Sequence, residues 1–108
     1  DGTARTTRVK VTPAGLTSLY NGADVASAAT IAPSGNLFHV TGTTNIDTVD
    51  TTDVTPGTRI TIIFDAILTV NDGTDNLKLA GNFTTSADDT LTLVYDGTSW
   101  FEVSRSAN

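Results

Sequence analysis

The chain has 108 residues, which is enough for one domain with a modest core. Its net charge is −6 at neutral pH. An acidic surface with no basic stripe repels a phosphate backbone, which excludes nucleic acid as an expected partner. The absence of cysteine excludes disulfides and thiolate metal sites. No apolar run approaches the roughly 20 residues that span a bilayer, so no membrane insertion is expected.

Threonine dominates the composition, with 22 residues against two lysines and no methionine. Its β-branched side chain suits a pleated surface and loses rotamer freedom in a helix. Most of the eleven aspartates stand beside glycine, threonine or asparagine, where a short carboxylate can accept bonds from its own turn. The composition therefore predicts a nearly all-β protein with acidic turns.

The first quarter of the chain differs from the rest. Residues 5–11 alternate polar and apolar side chains and predict one strand, and a passage rich in small residues follows. A short helix over residues 14–20 or 24–29 stays open, because small residues fit either state. We expect residues 1–28 to be an arm or linker and residues 29–108 to form the β domain.

From residue 29 onward, strand signals recur about every 8 to 14 residues with turns between them. The strand expected at residues 59–65 shows the clearest alternation, with Ile60, Ile62 and Phe64 on one face and Ile63 on the other. The predicted strands are residues 30–32, 37–41, 46–50, 59–65, 67–71, 77–80, 91–95 and 100–104.

One short pattern occurs twice, offset by 24 residues, with Asp72 and Gly73 in the first copy and Asp96 and Gly97 in the second. An Asp-Gly pair favours tight antiparallel hairpins, whereas a repeat of this length is near one coil of a β-solenoid. We favour a short β-helix or solenoid-like domain with a terminal hairpin. A β-sandwich or jelly roll is the alternative.

Residues 75–83, 88–98 and 100–106 resemble the C-terminal segment of phage tail-spike, tail-fibre and related virion surface proteins, often found behind a pectate-lyase-like right-handed β-helix. The likeness covers roughly residues 29–108 and is strongest from residue 66. Such proteins are usually trimers, and the segment helps to register the three chains. The resemblance thus implies a homotrimer in the virion, in contact with other virion proteins.

Several strands carry apolar side chains on both faces, which a small monomer has difficulty covering. Phe38, Ile63, Tyr95 and Trp100 are the candidate binding residues, as contacts to a sister subunit or, for the last two, as a platform for a glycan. A trimer would shield such groups, and a host-surface glycan is a further candidate partner.

No catalytic residue, metal site or cofactor is predicted. His39 is the one histidine, so no His-based triad or two-His metal site can form within one chain. The spacing of Asp47, Asp50 and Asp53 fits no EF-hand or glycine-rich calcium repeat. The first hypothesis is a non-enzymatic structural protein: a phage tail spike, fibre or capsid-decoration (head-fibre) domain that trimerises and supports host attachment. The alternatives are a carbohydrate-binding module and the non-catalytic end of a glycan depolymerase.

Overall fold

The computed structural model describes residues 10–11, 13–15 and 17–108, and within them the protein is all-β, without a helix. The all-β prediction is therefore confirmed at that level. The described strands are β1 (Lys10–Val11), β2 (Thr17–Ser18), β3 (Val25–Ala26), β4 (Thr30–Ile31), β5 (Leu37–Thr41), β6 (Thr48–Val49), β7 (Arg59–Phe64), β8 (Thr69–Val70), β9 (Leu77–Lys78), β10 (Phe83–Thr84), β11 (Thr90–Tyr95) and β12 (Trp100–Ser106).

The main sheet has six strands in the order β3-β5-β7-β11-β12-β9 and curls into a half-barrel. β3, β5 and β7 run parallel, while β11 pairs antiparallel with both β7 and β12. β9 closes the far edge in parallel with the start of β12. The main sheet is therefore mixed, because it contains both parallel and antiparallel strand pairs.

Two successive passes of the chain lie side by side in parallel with an offset of 24 residues. Leu37 pairs with Thr61 in the main sheet, and Ile46 pairs with Val70 beyond it. A side-chain hydrogen bond also joins residues 24 apart: the amide of Asn71 donates to the carboxylate of Asp47 at 2.7 Å. An offset of 24 residues therefore occurs in two forms. It is the register of strand pairing in the middle of the chain, and it separates the two copies of the Asp-Gly pattern near the C-terminus.

The two Asp-Gly pairs fold differently. Asp96 and Gly97 lie in the loop that joins β11 to β12, so that hairpin is confirmed. Asp72 and Gly73 do not connect a strand pair: β8 pairs with β10, and β9 pairs with β12. The carboxylate of Asp72 instead accepts the backbone N–H of Leu79, so this loop folds on itself.

The core lies on the concave side of the sheet, between it and the short strands. Alternation in β7 is confirmed, with Ile60, Ile62 and Phe64 buried. The ring of Phe64 packs edge-on against Phe83 of β10, which the sequence analysis left outside any strand. The buried apolar residues are Ile31, Phe38, Val40, Ile46, Val49, Ile60, Ile62, Phe64, Leu68, Val70, Leu77, Phe83, Leu91, Leu93, Tyr95 and Trp100.

The expected arm, residues 1–28, falls partly outside the described residues, including most of the strand predicted at residues 5–11. The described part contains the β1–β2 pair. Further along, Asn21 bridges to Leu37, and β3 pairs with β5. This stretch of the expected arm is thus part of the main sheet, and it is extended where a short helix was the alternative.

Candidate functional site

One side of the main sheet carries the side chains that alternate with the buried ones, and these side chains are exposed or half-buried. Register places its side chains in rows across the strands: Leu37, Thr61, Thr92 and Ser104 form one row. Thr61 and Thr92 are joined by a hydroxyl–hydroxyl hydrogen bond of 3.0 Å. We call this surface the outer face and define it by Leu37, His39, Arg59, Thr61, Ile63, Thr90, Thr92, Val94, Phe101, Val103, Ser104 and Ser106.

Several side chains on the outer face are apolar and reach solvent. Phe101 and Val103 are 41% and 44% exposed, and Leu37 is exposed at the other side of the face. A register shift between β11 and β12 brings both Val103 and Ser104 to this side, since a bulge adds one residue to the strand. The outer face thus combines hydroxyls with exposed apolar groups.

Three of the four candidate binding residues lie inside the single chain. Phe38 and Trp100 are fully buried and Tyr95 is nearly so, with the Trp100 indole N–H donating to the backbone oxygen of Val49. These side chains have no surface to offer a sister subunit or a glycan, because the curled sheet covers them within one subunit. Ile63 alone lies on the outer face, half-buried.

His39 stands at one end of the outer face beside Asp65. Its Nδ1 lies 2.6 Å from a carboxylate oxygen of Asp65, and this bond, with the charges of Asp24 and Asp88, raises the pKa of His39 above its ordinary value of 6.5. His39 is thus bonded to an acid and not to a serine or threonine hydroxyl. Among the described residues, no group of three or more histidine and acidic side chains is arranged to hold a metal ion.

The turn role expected for the aspartates is confirmed at several positions. The carboxylate of Asp96 accepts the backbone N–H groups of Thr98 and Ser99, which lowers the pKa of Asp96. Asp89 accepts backbone N–H groups from Ser86 and Asn108, and these bonds likewise lower its pKa. These carboxylates tie loops together, which accounts for them without a bound cation.

An ion pair that the sequence analysis missed fastens β12 to the loop before β10. The guanidinium of Arg105 donates two bonds of 2.7 Å to the carboxylate of Glu102. It also donates to the carbonyl oxygen of Gly81 and lies 4.6 Å from the centre of the Phe83 ring. The guanidinium lowers the pKa of Glu102. This pair was not predicted from the sequence, because side chains three residues apart on a regular strand point to opposite faces. The bulge in β12 brings Glu102 and Arg105 to the same face.

A cleft of about 240 Å³ opens where the loops before β5 and β7 meet. Tyr20, Asn36 and Thr58 contribute to its walls, and none of its lining residues is charged. A Cβ at Gly35 would lie 2.8 Å from the Tyr20 ring, so glycine at this position lets the ring pack closely. Trp100 lies at the base but is fully buried, so it adds little contact surface.

No family model matches this chain, and no curated protein matches it either. Within the part of the chain that the structure describes, no helix is long and apolar enough to cross a membrane.

Proposed function

We propose that this chain is a non-enzymatic structural domain of a phage virion surface protein, a tail spike, fibre or capsid-decoration domain, that works as a homotrimer. The single observation that carries the proposal is the outer face, an uncovered sheet surface with Phe101 and Val103 exposed. Contiguous exposed apolar surface on a soluble domain marks an interaction site. The likeness of the C-terminal segment to virion proteins supports the same assignment.

The paired passes of the middle of the chain support a short β-helix ended by a hairpin. Leu37 stacks on Thr61 and Ile46 on Val70 at a constant offset, as in successive coils. The antiparallel β11–β12 pair then ends the parallel stack. In this role the domain supports host attachment by holding three chains in register.

The test is the mass of the protein in solution. Light scattering after size exclusion at about 100 µM should give three times the 11.2 kDa chain mass. We also expect Ile63→Asp to lower that mass, since it places a carboxylate on the outer face. A monomer at every concentration would remove the proposal.

A carbohydrate-binding module is the second candidate, and the cleft is the observation that favours it. Its polar walls include the hydroxyl of Thr58, which donates to the Thr55 carbonyl oxygen and still has lone pairs to accept a bond. Tyr20 supplies an aromatic surface, in place of the buried Trp100. A cleft of this size and neutrality suits one uncharged sugar unit.

The second candidate is tested by NMR titration of the labelled chain with neutral hexoses, with glucuronate as the charged comparison. Binding would shift the amide signals of Asn36 and Thr58, Tyr20→Phe would retain it, and Tyr20→Ala would lose it. Absence of shifts at 50 mM sugar, on the order of the weakest affinity a single ring gives, would end this candidate.

A further inference from the structure

We propose that the cleft between the loops before β5 and β7 recognises a neutral sugar through the hydroxyl hydrogens of the ligand, and rejects a sugar whose contacting hydroxyl is capped. This inference rests on the second candidate function, the carbohydrate-binding module, and adds the chemistry by which the cleft selects its ligand. The polar side chains that line the cleft are Ser34, Asn36 and Thr58, together with the phenol of Tyr20.

The hydroxyl groups of Ser34 and Thr58 donate their hydrogens within the chain. The Ser34 hydroxyl donates to the carbonyl oxygen of Ala23 at 2.5 Å, and the Thr58 hydroxyl donates to that of Thr55 at 2.8 Å. A hydroxyl has one hydrogen and two lone pairs, so each group can still accept a bond but has no hydrogen left to donate. A ligand that bonds to either oxygen must therefore supply the hydrogen.

The side chain of Asn36 is oriented by the backbone of β7. Its amide nitrogen donates to the Arg59 carbonyl oxygen at 2.7 Å, which fixes the orientation of the amide group. Among the described residues, no group donates to the Asn36 side-chain oxygen, and the amide nitrogen keeps a second hydrogen. Such an amide can bind two neighbouring sugar hydroxyls, accepting a bond from one and donating a bond to the other.

The balance of donors and acceptors sets the class of ligand. Ser34, Asn36 and Thr58 together offer three acceptor oxygens against one amide hydrogen. A sugar hydroxyl satisfies this set because it both donates and accepts, whereas an ether or ester oxygen only accepts. An acceptor that faces another acceptor loses its bond to water without gaining one in return, which weakens binding. The cleft should therefore discriminate against capped hydroxyls.

The loops hold these groups in place before a ligand binds. The backbone N–H of Asn36 donates to the Tyr20 carbonyl oxygen at 2.7 Å. A Cβ at Gly35 would lie 2.6 Å from the nitrogen of Gly22, so the two loops pack backbone against backbone. Little conformational freedom is then lost on binding, and the bonds to the ligand contribute more fully to affinity.

The first experiment titrates the labelled wild-type chain with glucose, galactose and mannose and follows the amide signals of Asn36 and Thr58. Each sugar that binds is compared with its O-methyl ethers and its deoxyfluoro analogues at every ring hydroxyl. A methyl ether keeps the oxygen and adds bulk, whereas fluorine is no larger than a hydroxyl; neither has a hydrogen to donate. We expect both analogues at the same ring position to weaken binding by about tenfold or more.

The second experiment changes the accepting group on the protein, with far-UV circular dichroism to verify folding. Thr58→Val keeps the shape of the side chain without its oxygen and should weaken binding of the parent sugar by about tenfold, whereas Thr58→Ser should retain it. Thr74→Val is the matched control, because Thr74 is exposed in the connection between β8 and β9 and does not line the cleft. It should bind the sugar as wild type does.

The outcomes separate the mode of recognition from the binding itself. Deoxyfluoro analogues that bind like the parent sugar at every position would overturn recognition through hydroxyl hydrogens and leave the carbohydrate-binding candidate standing, even if the bulkier methyl ethers fail to bind. A folded Thr58→Val that binds like wild type would overturn the role of the Thr58 oxygen. A chain that binds none of the parent sugars would overturn both the inference and the candidate. The analogue series uses the wild-type chain, so it decides the matter if Thr58→Val does not fold.

Discussion

Removing the guanidinium of Arg105 should destabilise the fold by about 2–3 kcal/mol. Arg105→Ala deletes both 2.7 Å bonds to Glu102 and the bond to the Gly81 carbonyl oxygen, and it leaves the Glu102 carboxylate without its cation. Breaking a fully buried pair costs about 3–5 kcal/mol, whereas exposed pairs contribute about 0–1 kcal/mol. The Glu102 and Arg105 side chains are 9% and 28% exposed, so an intermediate value applies.

The assay is urea denaturation followed by the fluorescence of Trp100, the single tryptophan, which is buried in the core. In thermal denaturation, a loss of this size in the free energy of unfolding lowers Tm by roughly 8–20 °C for a domain of about 100 residues. Arg59→Ala is the matched control, since Arg59 is exposed on β7, and at a protein concentration low enough to keep the chain monomeric it should change the free energy of unfolding by less than about 0.5 kcal/mol.

A double-mutant cycle tests the reasoning. Glu102→Gln combined with Arg105→Ala should cost less than the two single changes added together, because no charge is then left unpaired. The pKa of Glu102 is lowered by Arg105, so the stabilisation is present above its unfolded pKa and is lost as pH falls through the folded pKa. Additive costs, or an Arg105→Ala protein as stable as the control, would refute the argument.

Three further predictions concern other contacts. Trp100→Phe should cost about 1–3 kcal/mol in urea denaturation followed by circular dichroism, because it removes the indole bond to the Val49 carbonyl oxygen, which keeps its bond from Asn76, and leaves space in the core where the larger ring packed; an unchanged midpoint would contradict this. Asp65 raises the pKa of His39, so that stabilisation is present below about pH 6.5 and is lost as pH rises through the folded pKa; His39→Gln should abolish this step in the urea midpoint, and a step that persists would exclude His39 as its source. Gly22→Ala should lower Tm, because its Cβ would lie 2.4 Å from the backbone of Ser34, and a Tm equal to wild type would show that the loops separate freely.

Strand positions on the main sheet were largely predictable from local pattern. Residues 37–41 form β5 as expected, and the inward and outward sides of β7 follow the alternation of its sequence. The short strand β10 was not found, since two residues show no periodicity. Its Phe83 is nevertheless buried, in contact with Phe64.

The candidate site was harder to predict because apolar residues on both faces of a strand do not reveal which face the rest of the chain covers. Phe101 and Trp100 are neighbours in β12 and therefore point to opposite faces of the strand. Trp100 turned out to be the inward one, and Phe101 is exposed. Choosing the largest aromatic side chains as candidate binding residues therefore selected residues of the core. The exposed Phe101 on the other face was not among the candidates.

By itself, the sequence determined the all-β class, the long strands and the pairs of side chains that share a face, because these depend on residues close together in the chain. Only the tertiary structure decided which strands pair and which face lies in the core. Asp72-Gly73 and Asp96-Gly97 are the same dipeptide, yet only the second joins a strand pair. Hydrogen bonds between distant segments make that choice, since the backbone of β8 finds its partner in β10 and not in the strand that follows its own turn.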